Sequence, residues 1–513
     1  MVTPKFDVTK GNKDWHGAEA ILRERIRRSL EGIFHRYGYD PIDTPITEYQ
    51  EVIAFKGGGE IQKEVFRLKD QGGRDLALRF DQTVPLARFI ATHQDIVFPF
   101  KRSVIGPVFR DGPTQPEQGR YRQFTQCDVD VLGIGEMTAE AELLALAHDA
   151  FRELGLGAVE VKINDRKLLE GVLDYSGVPT SSRIKTIVTL DKMDKIGLED
   201  VRNSLYTLTL SDQERGISNE TLSLINRLAQ ESGIVHALEQ ARPNIISEIG
   251  VKGLDSLIRI SENQSELGSA ISSIADFKTR GELLLTPQQA DKLVAVAGFT
   301  GDNEETYKFL SSLVTSEVGL QGLKEMRQVL DYSKAMGFEF VNLSPSLARG
   351  LDYYTGPTME VYLKDKGIIK SAILAGGRFD NMVGEFRGGE KIPAVGFSFG
   401  LERLVTIISS QERQLARTNT QLYLVPIGTV DQCLRIAHEL RNEGINVDMQ
   451  MQPDRKMGKS IAYALAKGIP YVGVVGDMEL ADNTINVKEL ATRKEERVPL
   501  PALKNYMNRT NEL

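Results

Sequence analysis

Between Gly119 and Gly133 the chain reads GRYRQFTQCDVDVLG and alternates with the two-residue period of a β-strand. One parity carries Tyr121, Gln123, Thr125, Cys127, Val129 and Val131. The other carries Arg120, Arg122, Phe124, Gln126, Asp128, Asp130 and Leu132. A step of two residues returns to the same face, so the charged set shares one face and the hydrophobic set the other. A strand in a large core turns hydrophobes inward. Here one face is almost wholly polar, with arginines at one end, carboxylates at the other and an amide between. The wet face of an edge strand would account for that pattern alone. The polarity recurs, however, at other predicted strand ends. Asp81, Gln82 and Thr83 close ALRFDQT, and Arg349, Asp352, Tyr353 and Tyr354 crowd SLARGLDYYTG. Arg403 opens a helix just after Gly396 and Gly400. Four such clusters predict one concave site lined by a sheet.

The chain has 513 residues, too many for a single core, so two to four domains are expected. With 41% hydrophobic and 26% charged residues it reads as globular rather than disordered. No apolar run approaches the ~20 residues of a membrane span, so no membrane association is expected. MVTPKFDVTKGNKDWHG lacks the apolar stretch of a signal peptide. Cys127 and Cys433 are too few for a disulfide framework, which fits a reducing cytoplasm. The histidines at 16, 35, 93, 148, 236 and 438 form no pair at metal-ligand spacing, so no zinc site is expected. A net charge of −8 argues against a basic coat for nucleic acid but leaves room for a local basic groove.

The coarse pattern predicts an α+β protein. Residues 16–38 read as an amphipathic helix. EVFRLKDQGGRDLALRF reads as a hairpin about its Gly-Gly turn. FKRSVIGPVFR and GRYRQFTQCDVDVLG read as two strands joined by a Pro- and Gly-rich loop. MTAEAELLALAHDAFRELGL reads as a helix capped by Thr138, with Glu140 and Glu142 facing its positive end. Strands flanked by helices at this spacing predict antiparallel sheet over 1–165 and again over 335–410, together one core. Residues 166–334 have helical periodicity and polar surfaces, as in a helical insertion. After the polar linker SSQERQLARTNT, strand and helix alternate through 421–513, predicting a small α/β domain with a partly parallel sheet.

The arginines point to the substrate. Guanidinium forks grip phosphate and carboxylate bidentately and keep their charge. Several of them converging with carboxylates suit a polyphosphate plus a zwitterionic small molecule, whose ammonium group the Asp and Gln would take. An arginine at the α-phosphate would stabilise charge that builds there during displacement, worth roughly 3–4 kcal/mol of barrier.

These segments carry a resemblance. Arg110 with GRYRQF resembles motif 2 of the class II aminoacyl-tRNA synthetases, AVGFSFGLERL resembles motif 3, and GYDPIDTPITE resembles motif 1, the dimer segment. LARGLDYYTG and AGGRFDNMVGEF resemble signatures of the histidyl-tRNA synthetases, and the similarity runs over nearly the whole chain. The resemblance implies a class II antiparallel catalytic core, a helical insertion over the acceptor arm and a C-terminal anticodon-binding domain. It implies a homodimer that joins L-histidine to tRNA(His) through a histidyl-adenylate, with ATP as substrate and Mg2+ on its phosphates. Arg110 and Arg349 would be catalytic. Arg110, Arg120 and Arg403 would bind ATP. Asp81, Thr83 and Gln126 would hold the amino group of histidine, Asp130 and Tyr354 would bind its imidazole, and Tyr353 and Arg349 would also belong to the histidine site, with Arg349 at the α-phosphate. Gly376, Gly377 and Gly400 would let the backbone approach the ligand. Two positions depart from the common form. GGRFD replaces GGRYD, so Phe379 lacks a hydroxyl, and FDQT replaces PEGT, so Asp81 is one methylene shorter than Glu. A pocket that pairs with both imidazole nitrogens can discriminate by about 10⁴–10⁵, so no editing domain is required.

An alternative is a non-catalytic relative, the regulatory subunit of ATP phosphoribosyltransferase. That class usually lacks the catalytic arginine and the last domain, and this chain has Arg349 and residues 421–513. A sensor module of a stress kinase is the third reading, and no kinase motif occurs. KMGKS at 456–460 resembles a phosphate loop, but Pro453 stands where such a loop needs glycine, so Arg455, Lys456 and Lys459 are expected to face tRNA instead. KGGGE at 56–60 is expected to be a mobile loop, Cys127 is expected in the core and Trp15 is expected to serve packing.

Overall fold

The computed structural model describes residues 6–56, 63–206, 219–245, 254, 257–258, 285–338, 340–348, 353–365, 367, 369–411, 415–452 and 455–509. Its first eleven strands are β1 (Asp40–Pro41), β2 (Thr47–Tyr49), β3 (Arg67–Lys69), β4 (Asp75–Leu78), β5 (Phe100–Phe109), β6 (Gln123–Leu132), β7 (Val159–Asp165), β8 (Val341–Leu343), β9 (Pro357–Leu363), β10 (Leu374–Arg378) and β11 (Ala394–Gly400). Eight of them form one sheet in the order β1-β5-β6-β11-β10-β9-β7-β8. From β5 to β7 every neighbouring pair is antiparallel. Only the two edges pair in parallel, β1 with β5 and β7 with β8. The predicted hairpin is β3–β4, with Lys69 opposite Asp75 and Gly73 at φ +78° in the turn, and β2 completes a small second sheet.

The helices that position the site are α1 (Gly17–Arg36), α2 (Thr83–Thr92), α3 (Thr138–Glu153), α4 (Arg166–Ser176), α5 (Glu317–Ala335) and α6 (Leu401–Gln411). The hydrophobic parity of β6 turns toward α1, α3 and α6. Cys127, Val129 and Val131 join Phe397 and Phe399 of β11, Leu22, Ile26 and Leu30 of α1, Leu143 of α3 and Leu404 of α6 in one buried core. Each such side chain contributes about 1.5–3 kcal/mol on burial, and this holds β6 in its register. The opposite, polar face is closed at one end by α2 and the short helix Met382–Phe386, through Val84, Leu86, Ile90, Met382 and Val383.

Among the described residues, every element from Arg166 to Ala335 is helical. Its outermost helices, α4 and α5, bury Leu168, Val172, Leu323 and Met326 in the sheet's own core, whereas Ile225, Leu238, Ile245 and Leu257 form a small separate one. Beyond the linker come β12 (Leu422–Pro426), β13 (Val447–Met449), β14 (Tyr471–Val475), β15 (Thr484–Glu489) and β16 (Glu495–Pro499), in the order β13-β12-β14-β15-β16. The first three pair in parallel and the last two join antiparallel, so the sheet is partly parallel as expected. The sequence reading passed over β15 and β16, because TINVKE and EERVP are short and charged.

Two local expectations need correction. The strand begins at Gln123, so Arg120 and Arg122 precede it rather than lie on its face. Thr138 is the first helical residue of α3 instead of its cap. The cap is Met137, with no side-chain bond, and Glu140 is fully buried against Arg378. The loop at 57–60 lies outside the described residues. Among the described residues no helix is long and apolar enough to cross a membrane.

Candidate active site on the polar sheet face

Strand register brings the polar parity of β6 against glycine. Arg102, Asp130, Gly396, Gly377 and Thr358 form one row across β5, β6, β11, β10 and β9. Val104, Asp128, Ser398, Ala375 and Glu360 form the next, and Gly106, Gln126 and Gly400 a third. Residues directly opposite share a face. A Cβ at Gly396 would overlap the Asp130 carboxylate, and one at Gly377 would lie 3.0 Å from the Tyr354 ring. The two glycines therefore keep the floor of the site low beside Asp130 and beneath Tyr354.

The segment joining β4 to α2 forms a wall. Asp81 is buried, and its Oδ1 accepts from the amides of Thr83 and Val84 at 3.0 Å each. Arg110 donates from Nε to the Phe80 carbonyl at 3.2 Å, with its guanidinium 4.2 Å from the Phe80 ring and 5.2 Å from that of Phe124. The Arg110 charge also acts on Asp81. Tyr353 is buried, bonds the Thr83 side chain and stacks edge-on to Tyr354 with centroids 5.1 Å apart. Arg102 is buried too. It donates to the Gln82 carbonyl at 3.2 Å, and its Nη2 lies 2.7 Å from Asp130 Oδ2, an ion pair whose N–H vectors miss the oxygen.

Several buried polar atoms on this face have no hydrogen-bond partner: Asp81 Oδ2, Gln82 Nε2, Arg102 Nε, Gln126 Oε1 and Asp128 Oδ1. An unsatisfied buried group costs about 1–3 kcal/mol, so a concentration of them in one place marks a candidate site for a polar ligand. Burial pushes the Asp81 carboxyl above the usual range, against the pull of nearby amides and of Arg110. Asp128 and Asp130 are likewise held up by burial. Arg102 opposes the shift in both, and Asp130 and Asp81 add repulsion at Asp128.

The arginine end is more open. Arg120 is exposed at the base of the 110–122 loop, where its backbone pairs with Gln115. Gly119, at φ +69°, seats that loop on α6, since a Cβ there would lie 2.9 Å from the Glu402 carbonyl. Arg403 donates from Nη1 to the Ala372 carbonyl. Glu402 is buried, accepts from the Thr125 amide at 2.8 Å and pairs with Arg23 at 3.3 Å, so it ties α6 to β6 and α1.

Asp81, Thr83, Arg110, Gln126, Asp130, Tyr353 and Tyr354 thus converge on one face. Arg120 follows Gly119, which packs against the Arg403 backbone. Arg349 and Asp352 lie outside the described residues. Sequence reasoning missed Arg102, Ser398 and Glu402 and gave Asp128 no role. Asp128 could have been found, since it shares the parity of Gln126 and Asp130. Arg102 could not, because its place opposite Asp130 depends on strand pairing. Phe379 is buried among Tyr353, Met382 and Val383, where an apolar ring fits. Cys127 is core, as expected. Trp15 packs edge-on against Tyr121 at 5.8 Å and borders a cavity of about 300 Å³. In KMGKS, the Ser460 hydroxyl is buried and bonds Gln450, which leaves no phosphate loop.

The chain is similar to known proteins over nearly its whole length. The family model described as Histidyl-tRNA synthetase matches residues 11–281 and 255–404, and the one described as Anticodon binding domain matches 421–510. A Bacillus anthracis protein named Histidine--tRNA ligase 1 is 36% identical over 503 residues, covering 97% of this chain and 99% of that one. Histidine--tRNA ligase 2 of Shouchella clausii is 33% identical over 497 residues, covering 96% and 98%. Among solved structures, histidyl-tRNA synthetase from Nostoc sp. PCC 7120 superposes with a TM-score of 0.74 at 24% identity, covering 99% of this chain and all of that one. A Bacillus halodurans protein titled ATP phosphoribosyltransferase regulatory subunit/histidyl-tRNA synthetase gives 0.62 at 20% identity, covering 92% and 99%. At those identities the structures speak for the fold alone. The full-length sequence likeness carries the assignment: this chain belongs to the histidyl-tRNA synthetase family.

Proposed function

We propose that the chain is a histidine–tRNA ligase and that the polar sheet face is where histidine is activated. The observation that carries this reading is the cluster of unpartnered buried atoms at Asp81, Gln82, Arg102, Gln126 and Asp128. Asp81 and Gln126 offer lone pairs to an ammonium group, and Asp130 and Tyr354 offer oxygens to an imidazole. Arg110 holds the substrate carboxylate and the α-phosphate of ATP. Arg120 and Arg403 grip the nucleotide at the open end. Arg349 stabilises charge on the α-phosphate as the carboxylate attacks in line, giving histidyl-adenylate and pyrophosphate. The histidyl group then passes to the 3′-terminal adenosine of tRNA(His). Magnesium belongs to the nucleotide substrate and arrives on its phosphates.

In this reading 1–165 and 335–410 form the catalytic core, 166–334 lies over the acceptor arm and 421–513 takes the anticodon. We also infer a homodimer in the cytoplasm. The motif 1-like segment supplies an edge strand, and Ile46, Tyr49 and Phe55 beside it are 43%, 47% and 56% exposed. Sedimentation of the purified chain as a monomer would remove the dimer. The regulatory-subunit reading is not favoured, because the curated relatives at full coverage carry ligase names. Histidine-dependent exchange of pyrophosphate into ATP tests the ligase reading, and purified chain that shows none overturns it.

A further inference from the structure

The arm before α1 has no part in the ligase reading, yet it holds the loop that carries Arg120. β11 ends at Gly400, opposite Gln126, so its ladder with β6 stops there. The amides of Thr125 and Gln123 lie beyond that end, and side chains take them. Glu402 accepts from Thr125 at 2.8 Å, and Asn12 Oδ1 accepts from Gln123 at 2.9 Å. One residue earlier, the Arg122 amide donates to the Gly11 carbonyl at 2.8 Å. One earlier still, the Tyr121 ring meets that of Trp15 edge-on. Residues 121, 122 and 123, the second limb of the loop, therefore each have a partner in the arm.

The arm is itself fixed. Asn12 closes a turn on Thr9. Its amide donates to the Thr9 carbonyl at 3.1 Å and its Nδ2 to the Thr9 hydroxyl at 2.7 Å, which leaves Oδ1 for Gln123. Lys13 pairs with Glu19 in the first turn of α1 at 2.8 Å and lies 4.5 Å from the centre of the Trp15 ring. Gly11, at φ +82°, fits where a side chain would not, since a Cβ there would lie 2.8 Å from Arg122 Cδ and from Thr114 Cγ2. The arm thus lies against both limbs of the loop.

The limbs differ in how much they depend on it. The first has ties of its own, from the Asp111 amide to the Glu64 carbonyl at 2.7 Å and from the Arg110 guanidinium to the Phe80 carbonyl at 3.2 Å. Arg110 meets the second limb through its amide, which donates to the Arg122 carbonyl at 2.8 Å. Arg120 sits between Gly119, which rests on α6, and the gripped residues, and its backbone pairs with Gln115 across the loop. Its side chain therefore leaves the loop at the point that the arm grips.

Resting on the ligase reading, we propose that residues 11–15 are a clasp that sets Arg120 for the nucleotide, and that Asn12 is a positioning residue for ATP. Asn12 acts through the Gln123 amide, standing in for the strand that β11 does not extend.

The test is pyrophosphate exchange by the full chain, with ATP and histidine each varied, for the wild type, Asn12→Ala, Asn12→Asp and Gly11→Ala. We expect Asn12→Ala to raise the ATP KM by about fivefold, the worth of one hydrogen bond, while the histidine KM and the melting temperature stay near those of the wild type. Asn12→Asp keeps an acceptor oxygen for Gln123 and returns the ATP KM to near the wild-type value. Gly11→Ala forces the arm off Arg122 and Thr114 and raises the ATP KM in the same selective way, and it decides the matter should Asn12→Ala not fold. An unchanged ATP KM in Asn12→Ala and Gly11→Ala overturns the proposal. So does an equal rise of both KM values with a lower melting temperature, which would make the arm a support of the fold. Failure of Asn12→Asp to restore the ATP KM overturns the role of Asn12 in it. Wild-type protein that exchanges pyrophosphate, with variants that keep its ATP KM, sinks only this inference. Wild-type protein that exchanges none sinks the ligase reading as well.

Discussion

At the scale of single residues, the site depends on what is missing as much as on what is present. Gly396 has no Cβ, and that space belongs to the Asp130 carboxylate. Gly396→Ala displaces the carboxylate, so we expect the histidine KM in exchange to rise at least tenfold while the ATP KM changes little. Overpacking of this kind also costs about 1–3 kcal/mol of stability, readable by denaturant unfolding. The buried aspartates make ligand-free stability depend on pH. Burial and their neighbours raise Asp128 and Asp130, so the folded state holds protons that the unfolded chain releases. The sign follows: their contribution is full below the ordinary carboxylate range and is lost as pH rises toward neutrality. Thermal melts of the free protein against Asp130→Asn should show that loss in the wild type and less of it in the variant. Burial also raises the Cys127 thiol, which lies wholly in the core. A thiol-alkylating reagent at neutral pH should leave Cys127 unmodified in the folded chain and modify it on unfolding, as read by mass spectrometry.

At the scale of elements, β10 holds the site from behind. Gly377 faces the ligand side, and the next residue, Arg378, faces the other way into a buried fork with Glu140 of α3, at 2.7 and 2.8 Å. Arg378 also donates to the Ile134 carbonyl at 3.0 Å and pairs with Asp380 at 3.2 Å. The alternation of the strand thus turns a helix–sheet contact into a support for the glycine that underlies Tyr354. Glu140→Ala removes the buried fork and leaves the guanidinium only Asp380 and backbone carbonyls, and we expect a loss of about 3 kcal/mol in chemical denaturation. The pattern of AGGRFD shows the alternation. It does not show Glu140 as the partner, since 238 residues separate the two.

At the scale of the whole molecule, the proposed function assigns activation and tRNA selection to different parts. The segment from Leu422 onward has cores of its own, around Leu424 and Cys433 on one side of its sheet and Tyr423 and Val472 on the other. A chain ending before residue 421 should keep histidine-dependent pyrophosphate exchange within a few-fold. Its kcat/KM for charging tRNA(His) should fall by about 100-fold or more, each tenfold being about 1.4 kcal/mol of lost contact. Comparable losses in both assays would mean that the last segment supports the catalytic core instead.

What the sequence determined by itself was whatever repeats locally. Period-two alternation identified β5 and β6, helical periodicity identified α1, α3 and α6, and the residue types at strand ends marked Asp81, Arg110, Gln126, Asp130 and Tyr354 as one polar set. Alternation also placed Cys127, Val129 and Val131 in the core, because burial of one face is decided by side chains two apart. The tertiary structure decided what depends on pairing between distant segments. It set Arg102 beside Asp130, put Gly396 under the carboxylate, joined Glu402 to Thr125 and Arg378 to Glu140, and moved Arg120 off the strand into the loop. Strand order and register determine those meetings, and neither is encoded in the spacing of residues along one segment.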